Sequence, residues 1–340
     1  MSWTQRQYLI AFNMMPGIGG RRLLAIKEHF GGLDRAWHAS QDKLLEVPGI
    51  GPKTADLFGS LRSSISPAKE EKWAEALGAR ILTLHDDSYP QYLKRLAVPP
   101  PVLYVRGQLP LEPGIAVVGT RKPSRIGIAQ AKQFSSYLAA KAVPVISGLA
   151  RGIDYASHAE TLESGGVTIA VLGSNLAKLY PPEHRVLAQA IGEKGALVTE
   201  FSSRCPTVPG NFPRRNRIIA GLSKGVLVVQ AGRNSGALHT ADWALDLGID
   251  VWAIPGEISD PLRHGTHGLI KQGAALVTDP EELLSKDTSR AKVGSSANPS
   301  LAELYDAGYG PNEIAATLAR SIKEVLAEIS LLQVERGLRM

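Results

Sequence analysis

The chain has 340 residues, of which 44% are apolar and 21% charged, a composition typical of a globular protein with two or three domains. It excludes a mainly disordered chain, a collagen and a coiled-coil rod. One cysteine excludes an intramolecular disulfide framework, and no Cys/His cluster has zinc spacing, so we predict neither a metal nor a cofactor. No apolar run approaches the ~20 residues that span a bilayer, and we expect a cytoplasmic protein without membrane contact.

The net charge of +6 is unevenly distributed along the chain. Residues 113–153 and 201–241 contain no Asp or Glu and six Lys or Arg in each window. The two windows together carry +12, which leaves −6 for the rest of the chain. Because phosphates favour surfaces without carboxylates, these windows are the predicted contacts for an anionic partner.

Residues 1–80 are predicted to form an N-terminal helical domain. Two glycine-rich turns, at 15–19 and 47–51, lie 32 residues apart, which indicates a duplicated unit. They resemble the helix-hairpin-helix turns of SAM-like domains, whose backbone N–H groups meet a DNA phosphate. The residues that fit this role best belong to the second turn: Gly49, Gly51 and Lys53. Such turns also occur as purely structural helix connectors.

Residues 81–284 alternate short apolar strands with amphipathic helices. The strand candidates are 115–118, 144–147, 167–172, 196–199, 225–230, 249–254 and 275–278. This rhythm predicts an α/β fold with a Rossmann-like, doubly wound and mainly parallel sheet. Such sheets bind ligands beyond the carboxyl ends of their strands, so the strand-to-helix loops are the candidate sites.

The C-terminal part is predicted to be a separate module. Five serines and few large apolar groups at 285–300 are typical of a linker. Residues 301–340 follow as a module of three helices, in which Ser321 and Glu324 have capping-box spacing.

Two strand-to-helix loops place cations among glycines. The loop at 118–127 can bring its backbone close to a phosphate, and its candidate DNA contacts are Gly119, Arg121, Lys122, Ser124 and Arg125. A plain turn with exposed arginines is the alternative. In the loop at 147–154 the candidate is Arg151, and Asp154 is expected to cap the following helix.

The segment 209–217 puts three arginines at the start of a helix, where they oppose the helix dipole unless an anion compensates them. Its aromatic side chain can stack on a base, a contact worth roughly 1–3 kcal/mol. The candidates here are Phe212, Arg214, Arg215, Asn216 and Arg217. Alternatively, Phe212 is a core aromatic and some arginines pair with Glu200. We expect at least one of the arginines to be structural.

A fourth loop, at 231–241, adds Ser235 and Gly236 as candidates for an anion-binding turn. Its histidine, His239, is alone. No Ser, His and carboxylate have the spacing of a catalytic triad, and no P-loop sequence is present.

These motifs, in this order, resemble the DprA/Smf family (DNA processing protein A). The matching segments are 119–121, 147–154, 180–184, Glu200, 212–223, 235–241 and 254–256. The resemblance implies a single-stranded DNA-binding core, a homodimer, protection of incoming DNA during natural transformation, and loading of the RecA recombinase. It implies that Arg121 is the pocket arginine and Phe212 the base-contacting aromatic, and that the C-terminal module is winged-helix-like.

Two alternatives belong to other functional classes. The core is also similar to nucleotide phosphoribohydrolases, but Ala241-Asp242-Trp243 stands where their catalytic glutamate pair follows a threonine. We therefore predict that the protein is not an enzyme. A small-nucleotide sensor is the other alternative. Dimer contacts are expected near Leu269 and Ile270, which could equally belong to the core.

Overall fold

The computed structural model describes residues 3–284, 300–306, 311–318, 320–321, 324–325, 327–329 and 332. Residues up to Pro280 form one unit, and those from Glu281 onward form another. Six helices precede the first strand: α1 (Gln5–Asn13), α2 (Gly20–Phe30), α3 (Leu33–His38), α4 (Gln41–Leu45), α5 (Pro52–Leu61) and α6 (Pro67–Ala76).

The two glycine-rich turns repeat one backbone conformation. Gly17 and Gly49 have φ of 81° and 83°, a left-handed region that favours glycine. The residues that precede the next helices, Gly19 and Gly51, both have φ of −98°. The repeat that the sequence indicates is therefore present in the backbone.

Nine strands of the described residues form a single sheet. They are β1 (Ala79–Thr83), β2 (Val102–Gly107), β3 (Gly114–Val118), β4 (Val145–Ser147), β5 (Thr168–Val171), β6 (Ala196–Thr199), β7 (Ser223–Val228), β8 (Asp250–Ala253) and β9 (Ala275–Leu276). Their order is β1-β2-β6-β5-β4-β3-β7-β8-β9. The strands from β3 onward pair in parallel, whereas β2 is antiparallel to both β1 and β6.

Helices alternate with the parallel strands, as the sequence predicts for a doubly wound fold. They are α7 (Arg125–Ala140), α8 (Ile153–Glu163), α9 (Arg185–Lys194), α10 (Asn211–Gly221), α11 (Leu238–Asp246) and α12 (His264–Lys271). Short 3-10 helices lie at Arg62–Ser64, Gln91–Arg95, Pro182–His184, Pro261–Arg263 and Pro280–Leu283. Among the described residues, no helix is long and apolar enough to cross a membrane.

The core lies on both faces of the sheet, and the strand residues alternate between the two sides. In β2, Val102 and Tyr104 pack with the N-terminal helices, whereas Leu103 and Val105 pack with the opposite cluster. The N-terminal helices thus share one apolar cluster with the sheet. The predicted domain boundary after residue 80 lies inside β1.

In the second unit, α13 (Leu301–Asp306) and α14 (Pro311–Leu318) are described. Ser321 and Glu324 form the predicted capping box, because the Ser321 N–H donates to the Glu324 carboxylate and the Glu324 N–H donates to the Ser321 hydroxyl. The predicted linker lies outside the described residues except for Ser300, and so does most of the predicted third helix.

Candidate nucleic-acid interface

A cleft of about 590 Å³ lies beyond the carboxyl ends of β3 and β7. These strands are parallel neighbours, but the chain leaves β3 toward β4 on the other side, so the loops after β3 and β7 diverge and leave a crevice. We call it the switch-point cleft. Eight of the residues predicted to bind DNA line it: Gly119, Arg121, Lys122, Phe212, Arg215, Asn216, Ser235 and Gly236.

The loop after β3 is held in place by Gln230, a buried residue that the sequence does not single out. The Thr120 N–H donates to the Gln230 backbone oxygen (2.7 Å), and the Ser124 N–H donates to its Oε1 (2.9 Å). The Ser124 hydroxyl accepts from the Gly127 N–H (3.1 Å) and caps α7. Ser124 therefore shapes the loop, and three cations of this loop are exposed: Arg121, Lys122 and Arg125.

The loop after β4 corrects the role predicted for Asp154. The helix cap is Gly152, and Asp154 is the second residue of α8, so its prediction as the cap is wrong. Its carboxylate instead accepts from the N–H groups of Gly148 (3.1 Å) and Ala150 (3.4 Å), and so closes the loop on itself. Burial raises the pKa of Asp154, and the neighbouring Arg215 opposes this shift.

Gly152 is a position in this loop where a side chain should destabilise the fold. Its φ is 81°, and a Cβ there would lie 2.4 Å from the Thr120 backbone oxygen. We expect Gly152→Ala to lower the free energy of unfolding by roughly 1–3 kcal/mol, because it adds backbone strain and a clash. The shift of the urea midpoint measures this change.

The matched control is Gly268→Ala. Gly268 lies within α12, has no positive φ, and has nothing within 4 Å of an added Cβ. This substitution should raise the free energy of unfolding by about 0.5–1 kcal/mol, because alanine restricts the unfolded chain and favours helix. Shifts of the same sign in both variants would contradict this account of the loop.

Two aromatic rings and two arginines lie together beside the cleft, and Arg121 and Phe212 of this group also line it. The rings of Phe212 and Tyr180 have centroids 5.3 Å apart at 59°. The guanidinium of Arg121 lies over Phe212 (5.8 Å), and that of Arg151 lies over Tyr180 (5.9 Å). Arg151 also pairs with the exposed Glu183 at 2.6 Å. The four side chains line a small recess that adjoins the switch-point cleft.

The position of Phe212 depends on a glycine in the loop after β5. A Cβ on Gly173 would lie 2.5 Å from Cδ1 of the Phe212 ring. Phe212 is half-buried and keeps part of its surface toward the cleft. Phe212 is therefore part of the cleft lining, and the stacking of a base on its ring stays a prediction.

The three arginines of α10 differ in their surroundings. Arg214 keeps 43% of its side chain exposed and pairs with Glu200 at 2.9 Å. Arg217 is buried, pairs with the same Glu200 oxygen at 2.6 Å, and donates to the Val98 backbone oxygen. Burial lowers the pKa of Arg217, and Glu200 opposes this shift. Arg217 lines neither the cleft nor its recess, and its observed role is structural.

Arg215 is buried although it lines the cleft. Its guanidinium donates to the backbone oxygens of Gly148 and Val171 and to the Asn216 side chain. Burial lowers its pKa to about 10, and the nearby Asp154 opposes the shift. Arg215 therefore joins the loop after β4 to α10, and contributes positive potential from beneath the cleft rather than an exposed head group.

The loop after β7 completes the cleft on its far side. Gly236 is exposed, and its backbone oxygen accepts from the Asn216 amide (3.1 Å). Ser235 is half-buried, and α11 begins two residues beyond Gly236. His239 is exposed, lies outside the cleft lining and is 3.7 Å from Asp242. Among the described residues that line the cleft, Asp154 is the one carboxylate.

Comparison with known proteins decides the family. A profile of the DNA recombination-mediator protein A family matches residues 80–287, which include every strand and loop of the cleft. The chain belongs to the DNA recombination-mediator protein A family. A SAM-like helix-hairpin-helix tandem matches residues 9–57, and both the predicted fold class and the predicted family are confirmed.

Curated relatives of this family member carry the names Protein Smf and DNA processing protein DprA. Protein Smf of Escherichia coli is 43% identical over 73% of this chain and 68% of its own length. Protein Smf of Synechocystis is 36% identical over 84% of this chain and 73% of its own length.

Two solved structures of DNA processing protein A resemble this chain. That of the Streptococcus pneumoniae protein has a TM-score of 0.70 and 32% identity, and the match covers 84% of this chain and 99% of that one. That of the Helicobacter pylori protein, described for its single-stranded DNA binding mode, has a TM-score of 0.55 and 25% identity over 60% of this chain and 94% of that one.

The two helix-hairpin-helix turns of this chain have different surroundings. Gly49 and Gly51 are exposed, with nothing within 4 Å of an added Cβ, and Lys53 beside them is exposed. By contrast, a Cβ on Gly19 in the first turn would lie 3.4 Å from the Arg214 guanidinium. DNA contact by the second turn stays a prediction.

Proposed function

We propose that this protein is a recombination mediator that binds single-stranded DNA in the switch-point cleft, with phosphates on Arg121, Lys122 and Arg125 and a base on Phe212. The observation that carries this proposal is the Arg121 guanidinium above the Phe212 ring at the topological switch point. Together they offer one cation for a phosphate and one π-face for a base. Because all nucleotides share both groups, binding should show little sequence preference.

Further contacts extend this interface on either side of Phe212. Arg151 beside Tyr180 and the half-exposed Arg214 are the next cations along the surface. Ser235 and Gly236 face the same cleft from the loop after β7, and Arg215 and Asn216 support it from below. Arg217 does not take part in the proposed contacts, because Glu200 neutralises it in the interior.

The binding of oligothymidine to the purified protein should weaken as salt rises. Each phosphate contact contributes a slope of about 0.7 in log affinity against log salt for a single strand. Fluorescence anisotropy over a salt series measures this slope, and the same titration with duplex DNA should give weaker binding. An affinity that does not change with salt, or that is equal for duplex and single strand, would falsify the proposal.

We further propose that the protein acts in the cytoplasm as a homodimer that protects incoming DNA and loads RecA. The expected dimer residues are poor candidates, because Leu269 is 4% exposed and both it and Ile270 pack into the core of their own chain. The open edge of the sheet at β9, where Leu276 is 48% exposed, is a better surface for a second copy. Sedimentation of Leu276→Arg tests this choice: a monomer supports it, and an unchanged mass contradicts it.

We propose that the protein has no catalytic activity. In the lining of the cleft, the carboxylate of Asp154 accepts hydrogen bonds from two backbone N–H groups. Asp242 on α11 lies outside the lining. A placed general acid or base is what hydrolysis would require. Release of free base from a nucleoside monophosphate by the purified protein would overturn this part of the proposal.

A further inference from the structure

A second cleft, of about 290 Å³, lies between the first helix-hairpin-helix turn and the core. Its lining consists of residues 13–19 on one side and of residues 200–202 and 204–206 on the other, together with Val208, Asn211 and Arg214. We call it the hairpin cleft. It flanks the same turn of α10 as the switch-point cleft: Phe212 and Pro213 line one cleft, whereas Asn211 and Arg214 line the other.

The charges of the hairpin cleft favour an anion. Arg204 and Arg214 line it and are exposed. The carboxylate in the lining, Glu200, is fully buried and already accepts from both Arg214 and Arg217. Both of these contacts are to Oε2 of Glu200, and its buried Oε1 has no hydrogen-bond partner among the described residues. In the part of the chain that the structure describes, the lining of this cleft contains no second carboxylate, so a polyanion can approach the two cations that reach solvent.

Arg214 is held in one orientation between the clefts. Its guanidinium lies over the Phe201 ring (5.5 Å) and pairs with Glu200, and it borders Gly19 of the first turn. Three fixed neighbours reduce the conformational entropy that a ligand contact would otherwise cost. A half-exposed cation held in this way is suited to bind a phosphate of a DNA strand that extends from one cleft into the other.

The first turn adds backbone donors to the same space. Gly17 and Gly19 line the cleft, and among the hydrogen bonds of the described residues neither of their N–H groups is a donor. The Arg22 guanidinium donates to the Gly17 backbone oxygen (2.5 Å), which adds a third cation beside the turn. The second turn has the same backbone conformation, but no atom of the described residues lies within 4 Å of a Cβ added to Gly49 or Gly51, so the surroundings of the two turns differ.

We propose that the hairpin cleft binds the backbone phosphates of the single strand that continues beyond the base stacked on Phe212. The helical domain then takes part in DNA binding through its first turn, with Arg214 as the shared contact. This inference rests on the proposed function, since it assumes single-stranded DNA in the switch-point cleft. A duplex, or a peptide, in the hairpin cleft would contradict it.

Cys205 offers a direct test, because it lines the hairpin cleft and is the only cysteine of the chain. Two oligothymidines are compared, one of about 5 and one of about 15 nucleotides, which lie near the lower and upper ends of the site sizes of single-strand binding proteins. With each oligonucleotide at saturation, verified by anisotropy in the same samples, the alkylation rate of Cys205 by a maleimide is measured. The longer one should slow the reaction severalfold, and the shorter one should not.

The two proposals fail in different ways in this experiment. If neither oligonucleotide binds, the proposed function fails. If both bind but the longer one leaves the alkylation rate unchanged, or both slow it equally, the hairpin cleft is not the continuation of the DNA path. Slowing by duplex DNA alone would also overturn the inference.

A charge substitution with a matched control gives an independent readout. Val208 lines the hairpin cleft and is 43% exposed, so Val208→Glu adds a negative charge there without emptying the core. Val167 is 38% exposed and directly precedes β5, at the amino end of this strand, whereas the switch-point cleft lies beyond the carboxyl ends of the strands. Val208→Glu should weaken binding of the longer oligothymidine severalfold and spare the shorter one, whereas Val167→Glu should affect neither. Equal affinities of wild type and Val208→Glu for the longer strand would refute the proposal.

Discussion

Arg121→Ala is expected to lower the affinity for oligothymidine more than any other single substitution in the switch-point cleft. The Arg121 guanidinium lies 5.8 Å from the Phe212 centroid and lines both the cleft and its recess. A hydrogen bond to a charged group contributes about 1.5–3 kcal/mol, so its loss corresponds to a roughly 10- to 100-fold weaker complex. The slope of log affinity against log salt should also fall by about 0.7, because one phosphate contact is lost.

Two control substitutions separate this effect from a general loss of charge. Lys141 follows α7 on the way to the amino end of β4, whereas the cleft lies beyond the carboxyl ends of the strands. Lys141→Ala should therefore leave both affinity and slope near the wild-type values. Arg121→Lys keeps the charge but loses the planar guanidinium, which can bind a phosphate through two parallel hydrogen bonds, so it should restore the slope and only part of the affinity. Equal losses for Arg121→Ala and Lys141→Ala would contradict the assignment.

The parallel part of the fold is predictable because its strands carry a strong local signal. All seven predicted strands are present, since each is a short apolar run, and most of them are buried on both faces, as in the fully buried β3. The exception is the short edge strand β9, whose two residues are exposed. The antiparallel strands β1 and β2 are not predicted. β2 begins directly after the proline-rich segment 99–101, and β1 follows α6 after a short turn, so neither has the strand-helix rhythm that identifies the others.

The position of the site is also predictable, but the roles of its side chains are only partly so. Charge alone identifies most of the loops that enclose the cleft, because residues 113–153 and 201–241 contain no acid. The one carboxylate among the described lining residues, Asp154, directly follows the first of these windows. Which arginine reaches solvent depends on contacts between residues distant in the sequence. Arg217 meets Glu200 and Val98 in the folded chain, and Arg215 meets Gly148 and Val171.

The residues that hold the site in place are likewise not predictable from the sequence pattern. Gln230 follows β7, and a polar residue at a strand end is the one signal that could have identified it. Tyr180 stands beside two prolines, and nothing local predicts that its ring meets Phe212. The matching conformations of the two glycine turns, by contrast, follow from their repeated sequence.

Glu200→Gln is expected to lower the free energy of unfolding much more than substitution of an exposed charged residue such as Glu183. The Glu200 side chain is fully buried, and its Oε2 accepts from Arg217 at 2.6 Å and from Arg214 at 2.9 Å. Without the carboxylate, Arg217 loses its counter-charge. Water cannot solvate its guanidinium instead, because only 8% of the side chain is exposed. Breaking a buried pair in this way costs about 3–5 kcal/mol, which a fall of the urea midpoint would measure.

The double variant Glu200→Gln, Arg217→Met tests whether the cost comes from the stranded charge. Since the double variant removes both charges of the pair and leaves no buried cation without a counter-charge, it should recover much of the midpoint that the single variant loses. Glu183→Gln breaks the exposed pair with Arg151 and should leave the midpoint unchanged, because solvent screens such pairs. If the single variant is no less stable than the double variant, then Arg217 does not depend on Glu200 for its buried position, and its exclusion from the DNA contacts loses its physical basis.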